Sequence, residues 1–150
     1  MIRVATGVLL SIAAGMIGGC QSAHQSNPVC EAEKARAQSS REASSHLPLG
    51  LKMPPNATLR IPTMVDGSAM GGGVSLSAEL EVNDRLEKVA DFYRAEFQRI
   101  GATIDVPENY KDLVLLHGQT RDGGYLMVGV DTRGRPTGVK VDIHYQADCL

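Results

Sequence analysis

Residues 73–82 read GVSLSAELEV, and residues 83–101 read NDRLEKVADFYRAEFQRIG. Side chains alternate across a strand with period two and recur along a helix with period 3.6. In the first stretch Val74, Leu76, Ala78, Leu80 and Val82 alternate with Ser75, Ser77, Glu79 and Glu81. That pattern describes a strand with one dry face and one wet face. In the second stretch Leu86, Val89, Ala90, Tyr93, Phe97 and Ile100 fall on one stripe, with Asp84, Glu87, Lys88, Asp91 and Gln98 opposite. That is an amphipathic helix. Asn83 or Asp84 suits its N-cap, Asp84 with Glu87 matches a capping box, and Gly101 suits the position just past its end. Asp84 and Lys88 make a favourable i,i+4 pair.

Working outward, residues 57–63, ATLRIPT, alternate as a strand that, because of Pro62, either lies at a sheet edge or ends there. Downstream, residues 102–106, 112–119, 124–131 and 137–146 read as four further strands, with turns at Asp122-Gly123 and at residues 133–136. The predicted order is β-β-α-β-β-β-β, spanning a domain of residues 51–150. One helix packed on an antiparallel sheet buries both apolar faces, so the expected fold is two-layer α+β. Its element order is broadly similar to helix-grip and TATA-binding-protein-like folds, a likeness that carries no activity.

At 150 residues the chain has the length of one domain. Its 15 Lys and Arg against 17 Asp and Glu form no basic cluster, which argues against a nucleic-acid partner. Aromatic residues are few and Trp is absent, which argues against aromatic platforms for sugars or choline.

The N-terminus has a different character. Arg3 precedes an uncharged run over residues 4–17. As a helix this run spans about 21 Å, short of the roughly 30 Å hydrocarbon core. A basic start, a short apolar run and small residues at its end describe a secretory signal peptide over residues 1–19. Its end, Ile17-Gly18-Gly19-Cys20, resembles the lipobox of bacterial lipoproteins. The resemblance covers the first twenty residues only. It implies that the Cys20 thiol receives a diacylglycerol, that the chain is cut before Cys20, and that the new amine takes an acyl chain. Two or more chains hold a protein stably on a bilayer where one does not. Gln21 in place of Asp implies sorting to the outer membrane, facing the periplasm, in a Gram-negative envelope. Loss of residues 1–19 removes one base and no acid, making the mature chain one unit more negative than the full chain's −2.

Residues 20–50 are rich in Ser, Ala, Gln and charge, and read as a tether holding the domain off the bilayer. Within it Asn27-Pro28 is a good helix start, followed by favourable helix formers. A partly populated helix is expected at about residues 28–44, polar all round and marginal alone. If Cys20 is lipidated, Cys30 and Cys149 remain. An even pair in an oxidising compartment suits a disulfide; two free thiols are the alternative.

No catalytic template is complete. Gly71-Gly72-Gly73 lacks the Lys-Ser/Thr of a phosphate-binding loop and leads into a strand. Asp142 and His144 share a strand face, with His117 a candidate neighbour, but no serine completes a triad and no ligand spacing for zinc is present. Met53, Met64, Met70 and His46 are spaced too irregularly for a copper site. Tyr93 and Phe97 could line an apolar cavity, although core packing is the simpler role. The reading is therefore a lipid-anchored envelope protein whose non-enzymatic domain binds another envelope protein or assists an envelope assembly. It needs no cofactor beyond the covalent lipid at Cys20. The alternatives are a carrier of a small apolar ligand between helix and sheet, or an enzyme inhibitor presenting residues 64–73.

Overall fold

A computed structural model describes residues 28–39, 46–66 and 73–149. The elements are α1 (Pro28–Ser39), a 3-10 turn (Pro48–Gly50), β1 (Ala57–Asp66), β2 (Val74–Val82), α2 (Leu86–Ile100), β3 (Glu108–Tyr110), β4 (Leu113–Gln119), β5 (Tyr125–Asp131) and β6 (Val139–Ala147). All six strands are antiparallel and lie in the order β1-β2-β6-β5-β4-β3. The first hairpin therefore docks on the last strand. β2 and β6 pair over nine residues, from Val74↔Ala147 to Val82↔Val139.

The expectation of one helix on a sheet in the order β-β-α-β-β-β-β is overturned. A second helix, α1, belongs to the packed fold, and the helices are interspersed around a six-stranded sheet with its own spatial order. The physical reason lies in Cys30. It is fully buried and joined by a disulfide to Cys149, just past the end of β6. A covalent bond holds α1 to the domain where its polar composition offered no apolar stripe.

The strand expected at residues 102–106 is also corrected. Thr103 and Asp105 donate backbone N–H bonds to Gln119 and His117 of β4, at 2.9 Å each. The Gln119 N–H, however, goes to the Thr103 hydroxyl at 3.2 Å, so no regular ladder forms there. The edge strand is the three-residue β3, further along.

One face of the sheet is dry. Val74, Leu76, Ala78, Leu80 and Val82 of β2 face the same core as Val139, Val141, Ile143, Tyr145 and Ala147 of β6. Val89, Ala90, Tyr93 and Phe97 of α2 lie over β4 and β5, whose Val114, Leu116, Leu126, Val128 and Val130 continue the same core, and Cys30, Leu47, Leu51 and Cys149 are buried with them. Burying each large apolar side chain is worth about 1.5–3 kcal/mol before entropy is counted. α2 ends as its sequence predicts: Gly101 is left-handed, at φ 73°, and its N–H donates to Gln98 O. At its start Asp84 accepts the Arg85 N–H at 2.9 Å and pairs with Lys88 at 2.5 Å, while the N-cap residue itself is Arg85.

Candidate functional site

The period-two pattern that dries one face of the sheet leaves the other open. Among the described residues no helix lies over it. Cross-strand register arranges this face in rows. One row runs Ser75, Gln146, Tyr125, Gln119; the next runs Ser77, His144, Met127, His117. Then come Glu79, Asp142, Gly129, Leu115 and Glu108, and finally Glu81, Lys140, Asp131, Leu113 and Tyr110.

The rows differ in chemistry. On the β1–β2–β6 side, charges neutralise one another. Glu81 accepts from Arg60 and from Arg135, the latter at 2.6 Å, and these bonds hold its carboxyl below the ordinary range. Lys140 lies 3.3 Å from Glu79 and 3.1 Å from Asp142. On the β3–β4–β5 side the face is more apolar. Leu113, Leu115 and Met127 are half-buried, and Tyr110 and Tyr125 are exposed. Gly129 carries no side chain between Leu115 and Asp142. A cleft of about 520 Å³ opens here, lined by Glu108, Tyr110, Lys111, Asp112, Leu113, Leu115 and Arg133. Tyr110 donates its hydroxyl to Glu108 at 2.8 Å, and Arg133 is held by Asp131 at 2.6 Å. The result is an apolar floor with a rim of both signs, suited to seating a side chain of a partner.

His117 sits at the edge of this surface. Its Nδ1 lies 3.4 Å from Asp105, its Nε2 4.0 Å from Glu108, and its ring centroid 6.0 Å from that of Tyr125. Ser77, on the same row, is three strands away from it. Asp142 and His144 do share the open face, but Lys140 occupies the Asp142 carboxylate. Among the described residues no three His, Cys, Asp or Glu groups converge as metal ligands.

Tyr93 and Phe97 lie within the core, both fully buried, with Phe92 edge-on to Tyr93 at 5.3 Å. The Tyr93 hydroxyl has no hydrogen-bond partner, and burial pushes its ionisation far above the ordinary value. Glu96 was absent from the predicted stripe, yet it is buried on α2. Its position three residues past Tyr93 was the available signal. It accepts two bonds from Arg99, at 2.8 and 2.7 Å, and the Lys52 backbone N–H at 2.9 Å. Arg99 also donates to Gly50 O at 2.8 Å, so this cluster fastens the 3-10 segment to α2. Cys20, Met70 and most of the loop of residues 64–73 lie outside the described residues.

No family model, curated protein or solved structure matches the chain. Among the described residues no helix is long and apolar enough to cross a membrane.

Proposed function

We propose that the chain is a lipid-anchored protein of the bacterial envelope, fastened through Cys20, whose domain binds another envelope protein on its open sheet face and performs no catalysis. The observation that carries the binding half is the uncovered side of the β3–β4–β5 region, where Tyr110, Leu113 and Leu115 line a cleft with a mixed-charge rim and Met127 and Tyr125 lie on the same face beyond it. The anchor half rests on the lipobox-like Ile17-Gly18-Gly19-Cys20 and is accompanied by a disulfide, the bond of an oxidising compartment.

The test has two arms. The mass of the N-terminal peptide of the membrane-extracted protein should correspond to a lipidated Cys20, and Cys20→Ala should leave the protein uncleaved or released. A photo-crosslinking amino acid at position 125 or 127 should give a discrete adduct in intact envelopes, while one at Gln98, on the exposed side of α2, should not. Equal labelling at all three positions removes the open face as the binding surface.

A second reading, a carrier of a small apolar ligand, is favoured by one observation: the buried Tyr93 hydroxyl lacks a partner in the protein. Native mass spectrometry of the protein from membranes would show a copurified ligand if this is its role.

A further inference from the structure

The disulfide changes how far the domain can stand from a bilayer, and which end faces it. Residues 20–50 would be a long leash if all were free to extend. Yet α1 begins at Pro28, and Cys30 is bonded to Cys149. Only residues 21–27 separate Cys20 from the folded domain. At no more than about 3.6 Å per residue, whatever their conformation, they reach about 29 Å. Without the bond, the point of attachment could retreat to the residues preceding Leu47, and the reach would grow to about 95 Å.

The bond also selects an end. Cys149 follows Ala147, which pairs with Val74 at the end of the sheet where β6 finishes and β2 and β5 begin. Val29 and Glu33 of α1 line a cleft there with Leu49, Gly50, Arg99, Ile100 and residues 120–122. Arg99 and Arg121 are exposed at this end. The other end, with residues 83–86 and 132–138, lies a strand's length away, about 30 Å.

We infer that the Cys30–Cys149 bond makes the β6-terminal end of the domain a membrane-facing surface, held against the anchoring bilayer, and turns the end formed by residues 83–86 and 132–138 outward. The occupant of the inner surface is the lipid headgroup layer itself. This rests on Cys20 being the point of attachment, so the experiment supplies that attachment chemically.

The chain has no Trp, so single Trp reporters give no background. The chain from Cys20 onward, with Cys30 and Cys149 oxidised, is coupled through its remaining thiol to a maleimide lipid in vesicles of phosphatidylethanolamine and phosphatidylglycerol. Nitroxide-headgroup lipid is the quencher. R121W should lose most of its emission and T137W should keep its own. D148W, a second reporter at the inner end, guards against a local defect in R121W. In the C30S/C149S background the contrast between the two ends should vanish. Equal quenching at both ends of the oxidised chain, quenching at neither, or a contrast that survives loss of the disulfide would each overturn the inference. Failure of natural lipidation would instead appear only in the N-terminal peptide mass, and leaves the coupled sample unaffected.

Discussion

Glu96 sits in the buried stripe of α2 and is satisfied by Arg99 and the Lys52 N–H. The Arg99 bonds hold its carboxyl below the ordinary value of 4.5, against the opposing effect of burial. A carboxyl depressed in the fold contributes stability above its unfolded pKa, and the contribution is lost as pH falls through the folded value. Glu96→Gln should therefore lower the melting temperature at neutral pH, with the difference shrinking below about pH 4.5. Tyr93 behaves oppositely. An unpartnered buried hydroxyl costs about 1–3 kcal/mol. Tyr93→Phe should leave stability unchanged or raised in denaturant titrations, whereas a loss would mean that something bonds that hydroxyl. Gly118 is required by close approach: a Cβ there would lie 2.0 Å from Thr103 O, while one at Gly129 would meet only Leu115 at 3.8 Å. Gly118→Ala should destabilise strongly and Gly129→Ala should be tolerated, as urea midpoints would show.

At the scale of elements, the two helices are held by different forces. α2 is held by its stripe, and Phe97→Ala should cost about 3–5 kcal/mol because a large buried side chain is removed. α1 is held by a bond between residues 119 apart in sequence. The chain-entropy model gives about 4–5 kcal/mol for such a loop, an upper bound. C30S/C149S should lower stability by no more than this and expose α1 to proteolysis while residues 51–149 stay protected. The stripe of α2 and its Gly101 terminus were legible because local periodicity and one left-handed residue carry them. The role of α1 was not, because its sequence is polar and its partner lies near the far end of the chain. The false strand at residues 102–106 has the same origin. Its alternation is real, but a ladder needs reciprocal bonds with β4, and Thr103 supplies a side-chain bond in their place.

For the whole molecule, the sheet presents two faces that respond differently to charge. Val128→Asp on the dry face should prevent folding, while Leu115→Lys on the open face should leave the fold near its native stability and abolish the crosslink at position 125. Circular dichroism with envelope crosslinking separates the two outcomes. The open face was half legible. Ser75, Ser77, Glu79 and Glu81 were readable as a wet side from β2 alone. The cleft at Tyr110, Leu113 and Leu115 was not, because it depends on which strands become neighbours.

Periodicity by itself determined the strand–helix unit at residues 74–100 and the wet and dry sides of β2, while Pro62 restricted β1 to an edge or an early end. These are short-range properties, set by side-chain spacing over a few residues. Tertiary structure alone decided that β2 lies beside β6, that α1 joins the core, and that residues 50–52 are clamped to α2 through Glu96 and Arg99. Each of these pairs groups far apart in the chain, and such pairing follows from the energy of the assembled core and one covalent bond, which no local pattern encodes.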